Sequence, residues 1–596
     1  MAKYAVNQLP VSTLLAQVQS DQIAIPELQR PFVWDSIKVR DLMDSLYRGF
    51  PVGYLITWQS VGANLKGGLS ASHQQILIDG QQRVTALRAA VAGLPVVMKN
   101  YSQKRITIAF NPLTEEFATV TPVIRRDPQW ISDISEVFQS AGSFKFISNY
   151  MQANPDVDQD FAAEKIDKLS EIKNAQIGVI ALSDDLDVET VSEIFIRINS
   201  KGVPLSSADF AMSKIATYGD RGRNLRKLID YFCHLAIAPH AYGDIAENDK
   251  DFAESGHLQK IAWLKDVSED LYDPTYSDIV RVAGLVGFTR GKASSIVSEL
   301  SGRDPETRRV DVERIPGAYD KLESALDSIT SKYHFENFIM TIKSAGFISS
   351  KLVNSQNALN FAYALYLRMR LDPTLSEGER KKITRRWFVM SMLTGRHSGS
   401  FESTWEQDMK RITQLGAAEH LRQIEESELG EDFWNVSLAR SLDTIRTSSP
   451  YFLTFLAAQI HSGSRGFLSK HITVSTMQEH SGDIHHVVPK NYLVKAGFSD
   501  RNEYNQVANF AITETSVNIS IGDAAPEVYL ARVRQQIDTG TLKLGEIVDQ
   551  QDYEKNLAEN ALPLMLESVT AETYPDFLHE RRRLMAKFIR DYYTKL

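Results

Sequence analysis

Cysteine is nearly absent from this 596-residue chain. Cys233 stands alone, which excludes an internal disulfide and a cysteine-built zinc cluster. No apolar run approaches the ~20 residues of a membrane-spanning helix, so no membrane partner is expected. The first stretch, MAKYAVNQLPVSTLLAQV, has neither the apolar core nor the small-residue cleavage site of a secretory signal. Positive charge is not in excess either. Lys and Arg number 66 against 75 Asp and Glu, and the net charge of −9 argues against a general coat of DNA affinity. A local basic surface is enough to bind DNA. Three clusters could supply one: Arg125-Arg126, KKITRR from Lys381, and RRR from Arg581. The simpler reading of each is a solvated helix or loop face. Repeats and low-complexity linkers are missing too. The profile is that of a cytoplasmic enzyme or regulator.

What is present needs more than one core at this length. Residues 1–220 alternate short apolar strands (QIAIPEL, GYLITWQS, QILIDG, ITIAFNP, QIGVIAL) with amphipathic helices such as SIKVRDLMDSLYRGF, an α/β pattern. Residues 221–445 are almost wholly helical in period, as in ALNFAYALYLRMRL and ITRRWFVMSML. Residues 446–596 carry most of the histidine chemistry and then return to helices.

The stretch IDGQQRVTAL places Asp79, Gly80, Gln81, Gln82 and Arg83 between an apolar strand and a helix. Gly80 can adopt positive φ. The helix that follows opens with free N–H groups and a partial positive charge, a ready anion site. Arg83 adds a planar fork suited to phosphate. A phosphate cradle is one reading. A helix cap with Arg83 paired to Asp79 is the other. Two further stretches bear on the choice. IPELQRPFVWD holds Gln29 and Arg30 between Pro26 and Pro31, which preclude a regular helix. FIRINSKGVPLSSADF carries Arg197 and Asn199, a turn at Gly202, and a Ser206/Ser207 cap with Asp209 in the first turn of the next helix.

In this order, QRPFVWD, IDGQQRVTAL and FIRINSKGVPLSSADF resemble the N-terminal module of GmrSD-type, modification-dependent (type IV) restriction enzymes, with SspE- and BrxU-like relatives. The resemblance implies a ParB-like fold and nucleoside triphosphate binding and hydrolysis, GTP favoured, at Asp79, Gly80, Gln81, Gln82 and Arg83. Asp79 and Arg83 would be its catalytic pair. The resemblance further implies that Pro26, Leu28, Gln29 and Arg30 read the modified DNA backbone.

Toward the other end, SGDIHHVVPKNYL is followed by NQVANFAITETSVNISIGDAAPEVYL. Histidine, loop, asparagine at a strand start, then asparagine nine residues later resembles an HNH (ββα-metal) nuclease. By that resemblance His486 is the general base, and Asn509 fixes the loop and orients the base. His485 and Asn518 hold a divalent metal. His485 departs from the pattern, where Asp or Glu is more usual, and Asp483 on the same strand face could substitute. The expected cofactor is magnesium or manganese, with nickel or cobalt as further candidates because an imidazole suits transition metals better than magnesium. A pair of core or surface histidines near an Asn-capped helix is the plain alternative. Arg396 and His397, in GRHSGSFESTWEQDMKRI, could contact DNA or form a helix–helix junction, and the junction is the simpler reading.

The expected architecture is therefore multidomain: a ParB-like α/β domain over 1–220, a helical coupling domain over 221–445, and an HNH nuclease embedded in helices over 446–596. The expected partners are NTP and modified, double-stranded DNA, and the same reading accommodates a homo-oligomer. Two rival functions remain: a sensor with an inactive nuclease, and a toxin-like nuclease without modification sensing.

Overall fold

The computed structural model describes residues 3–20, 22–24, 34–59, 75–97, 103–139, 143–183, 186, 190–191, 194, 206–267, 270–304, 307, 309–480 and 483–596. They fall into two compact units. One comprises 1–267, 275–288 and 292–327, the other 268–274, 289–291 and 328–596. The helical stretch expected over 221–445 is thus shared between the units.

The first unit is built on a mixed sheet. Its strands are β1 (Tyr4–Pro10), β2 (Ile23–Ala24), β3 (Tyr54–Gln59) and β4 (Gln75–Asp79). Two small antiparallel pairs follow: β5 (Val96–Val97) with β6 (Gln103–Lys104), and β7 (Ile108–Asn111) with β8 (Glu116–Thr119). Strand β9 (Gln176–Leu182) returns to complete a five-stranded sheet in the order β1-β9-β3-β4-β2. Pairing is antiparallel for β1·β9 and β3·β4, and parallel for β9·β3 and β4·β2. In β4, Ile76, Leu77 and Ile78 are all buried. Covered faces on both sides remove the polar alternation from its sequence. Helix Val11–Gln19 buries Val11, Leu14 and Val18, the spacing of one helical face. Helix Ser36–Tyr47 begins at Asp35, whose carboxylate accepts from Lys38 N at 2.8 Å.

Helix Ser207–Ala216 opens with a reciprocal cap. Asp209 N donates to Ser206 Oγ, and Ser206 N donates to the Asp209 carboxylate. Further along the same helix, Lys214 is only 7% exposed. Burial pushes its ammonium down to about 8.

The second unit is mainly helical. Helix Glu377–Thr394 buries Trp387 and Phe388, and helix Tyr574–Lys595 buries Phe577, Arg581, Met585 and Ile589. A two-stranded antiparallel ribbon, β10 (Asp483–His486) with β11 (Phe510–Thr513), lies among these helices. Arg396 grips Asp408 through Nε and Nη2 at 2.9 and 2.7 Å and also pairs with Glu428. His397 is buried, accepts from Trp387 Nε1 at 3.4 Å, and is held by burial at about 3. Both residues therefore make a helix junction.

Most side chains of two of the three basic clusters are paired within this unit. Lys381 pairs with Glu377 at 2.7 Å and Arg386 with Glu425 at 3.0 Å, and Arg385 donates to the Leu596 carbonyl at 3.4 Å. Arg581 is buried, Arg582 pairs with Asp443 at 2.8 Å, and Arg583 with Glu580 at 3.0 Å. Arg125 and Arg126 stay exposed at the end of the short helix Pro122–Arg126. Among the described residues, no helix is long and apolar enough to cross a membrane.

Lys214 yields a test of the first unit. The unfolded chain keeps the lysine proton up to the ordinary 10.5, and the folded chain releases it near 8. At pH 7 the buried charge therefore costs roughly 3 kcal/mol, and the cost fades as pH rises from about 8 to 10.5. Lys214→Met should raise the unfolding temperature at pH 7, and its advantage should shrink across that window. Thermal unfolding followed by circular dichroism checks this. An advantage that ignores pH would show that the ammonium is not its cause.

Candidate functional site

Strand β4 ends at Asp79, and Gly80 turns the chain into helix Gln81–Ala90 with φ +95°. A Cβ at Gly80 would sit 2.2 Å from Leu55 Cδ2, so both conformation and space require glycine. The first i→i−4 bond of this helix runs from Val84 N to Gly80 O at 3.0 Å. Its positive end therefore lies at Gln81 and Gln82.

Arg83 turns back from the helix. Its Nη1 donates to the carbonyls of Val52 (3.2 Å) and Tyr54 (2.8 Å), and its Nη2 to Asp79 Oδ2 (3.2 Å). Burial pushes its pKa below the ordinary arginine value, and Asp79 opposes that. Gln82 Oε1 accepts from Trp34 N at 3.4 Å, and Gln81 Nε2 donates to Leu77 O at 3.4 Å. The Asp79–Arg83 pair of the helix-cap reading is thus present at the helix start that the cradle reading needs. Pro26, Leu28, Gln29 and Arg30 lie outside the described residues, as do Arg197, Asn199 and Gly202.

In the second unit, the β10·β11 register sets His485 opposite Ala511 and His486 opposite Phe510. Strand β11 begins at Phe510 rather than at Asn509, because Asn509 closes the 3₁₀ turn Val507–Asn509. Asn509 is fully buried. Its Oδ1 accepts from Val488 N (2.8 Å), and its Nδ2 donates to the carbonyls of Val488 (2.9 Å) and Tyr504 (3.2 Å). The loop after the histidines is therefore clamped to the start of β11. Helix Thr515–Ile521 follows β11 and carries Asn518. Strand, strand and helix together form a ββα unit.

His485 is buried, and its Nδ1 lies 2.6 Å from Asn518 Oδ1. Its ring stacks on Phe467, with centroids 6.4 Å apart. His486 Nε2 lies 2.8 Å from Asn505 Oδ1, and the edge of Phe510 packs against its ring at 5.0 Å. Burial lowers the pKa of His486, the Asn505 bond opposes this, and Lys490 lowers it further. The imidazole is consequently neutral near pH 7, the form that a general base needs.

An amide oxygen only accepts, so at 2.6 Å His485 Nδ1 carries the hydrogen, and the two expected ligand side chains bond each other. Among the described residues no group of three His, Cys, Asp or Glu side chains is gathered for a metal. The Asp483 side chain lies outside what is described.

Residues 11–216 match the family model of the GmrSD restriction endonuclease, N-terminal domain. No curated protein matches the chain. The GmrSD-like segment runs from the first residue of helix Val11–Gln19 to the last of helix Ser207–Ala216, and it contains the Asp79–Arg83 motif. The ββα unit lies beyond it.

Sequence reasoning missed three residues that build the ββα site. Asn505 holds His486, as above. Arg581 donates to the carbonyls on both sides of Asn509: Ala508 O at 2.9 Å and Phe510 O at 2.6 Å. Tyr529 Oη donates to Val487 O at 2.8 Å. Asn505 stood inside the stretch already singled out, and an amide facing a histidine was its only signal.

Asn509→Ala would leave the N–H and C=O of Val488 buried without partners, a loss on the order of 2–4 kcal/mol. The second unit should unfold at distinctly lower denaturant concentration than in Asn518→Ala, which removes the bond to His485. Equal midpoints for the two variants would refute the clamp.

Proposed function

We propose that the chain is a nucleotide-regulated, metal-dependent endonuclease that senses modified DNA and cuts foreign DNA, such as phage DNA, in the cytoplasm. One observation carries the reading. His485, His486, Asn509 and Asn518 sit together on a ββα unit, in a chain whose residues 11–216 match the GmrSD N-terminal domain. The matched family's description supports restriction of DNA as the setting.

His486 takes a proton from water at the scissile phosphodiester. Asn509 keeps the loop that carries it from shifting. His485 and Asn518, with Asp483 as a further donor, would hold a divalent ion, which supplies charge neutralisation at the phosphate when bound. In the first unit, the helix start at Gly80 faces the phosphates of an NTP, GTP favoured, while Arg83 and Asp79 shape the loop around it. Modified DNA is read by the segment that includes Pro26, Leu28, Gln29 and Arg30. Control of cutting by nucleotide requires two states of the protein with different affinity for nucleotide or modified DNA. A sensor with an inactive nuclease is the second reading, favoured by imidazole at His485.

Cleavage of supercoiled plasmid, modified or plain, in manganese or magnesium decides between the two. The wild-type chain should cut modified plasmid in preference to plain. His486→Ala should cut ~10²–10⁴-fold more slowly and still bind modified DNA. A wild-type chain that never cuts favours the sensor. Loss of modified-DNA binding in a folded His486→Ala protein would overturn separate sensing and cutting sites.

The nucleotide half has its own test. Arg83→Ala should reduce NTP turnover by about tenfold or more, the effect of losing one charge-assisted contact's worth of order at the site. It should also lower the unfolding temperature, because Val52 and Tyr54 lose their donor. Wild-type turnover in that variant would remove the motif from nucleotide chemistry.

A further inference from the structure

His486 offers two ring nitrogens to the chemistry, and the structure distinguishes them. Nε2 lies 2.8 Å from Asn505 Oδ1. An amide oxygen only accepts, so Nε2 must carry the hydrogen. A neutral imidazole has one N–H, so the lone pair is on Nδ1. Both partners are held firmly. His486 is fixed by the β10·β11 register and by the Phe510 edge. Asn505 follows helix Arg501–Tyr504, which opens with a reciprocal Asp500/Glu503 cap, and its own N–H donates to Arg501 O at 3.1 Å. Two residues on, Val507 N donates to Thr444 O at 2.8 Å. The amide is thus anchored on both sides in sequence.

We propose that Asn505 is a positioning residue that fixes the His486 proton on Nε2 and turns Nδ1 toward the attacking water. This deepens the nuclease reading and rests on it. In the step, Nδ1 accepts a proton from water, and the water oxygen bonds to phosphorus. The scissile P–O bond breaks, and its electron pair stays on the departing oxygen, which is protonated from solvent. The imidazolium then returns its proton to solvent. Asn505 forms no bond to any reacting atom. Its part resembles that of outer partners that orient catalytic or ligating histidines and set their tautomer.

The test uses the full-length chain with ¹⁵N-labelled histidine. Long-range ¹H–¹⁵N correlations report which ring nitrogen of His486 is protonated, and His486→Gln identifies its signals. The wild type should show the Nε2–H form. Asn505→Leu, similar in size but without an acceptor, should lose that single form. Its kcat should fall ~10–100-fold with KM for plasmid unchanged. Asn505→Asp keeps an acceptor and should restore both the Nε2–H form and most of kcat. An Nδ1–H form in the wild type overturns the proposal, as does wild-type kcat in Asn505→Leu. If Asn505→Leu does not fold, a folded Asn505→Asp protein with the Nδ1–H form overturns it equally. A wild type that never cuts would sink the nuclease reading, while the spectrum would still decide whether Asn505 sets the tautomer.

Discussion

One buried amide holds the histidine ribbon in register. Asn509 accepts from the N–H of Val488 and donates to its carbonyl, so the backbone just after His486 is gripped in both directions. Lateral slip of that loop would leave two buried backbone groups unpaired, which is why the geometry is stiff. The other contacts of the ββα unit presuppose this clamp. Asn518 meets His485 and Asn505 meets His486 only if the two strands keep their pairing, since a one-residue slip would turn each histidine to the opposite face.

The first unit applies the same economy with a charge. Arg83 could reach outward, but its fork is directed at two carbonyls of the Val52–Tyr54 segment and at Asp79. Gly53 and Gly80, both at positive φ, let the backbone approach closely enough for this. The motif therefore first builds its own loop. The fork of the arginine is turned inward to that loop, and the start of helix Gln81–Ala90 is what the loop presents.

Local signals were legible and distant ones were not. The Asp79–Gly80 turn, the Ser206/Asp209 cap and the helix that carries Asn518 depend on neighbours within a few residues, and the residue pattern declares them. The order of histidines and asparagines likewise announced two strands and a helix, misplacing only the start of β11 by one residue. Asn505 and Arg581 act across 19 and 71 residues, where no period or cap rule reaches. The RRR cluster misled for a physical reason. A run of like charges is normally solvated, yet the first of these arginines is fully buried and pushed down to about 9 by that burial. Its Nη1 and Nη2 donate to backbone carbonyls, which carry no sequence signature.

That buried guanidinium also dictates an order of assembly. Arg581 closes the backbone on either side of Asn509 from a helix 71 residues further along the chain. While the chain is being synthesised, the carbonyls of Ala508 and Phe510 lack this donor until helix Tyr574–Lys595 has been made and docked. Nascent chains interrupted before that helix would display the two histidines without a locked frame around them. The frame around the two histidines is thus completed only after nearly all of the residues that precede this helix, including those of the first unit, have been synthesised.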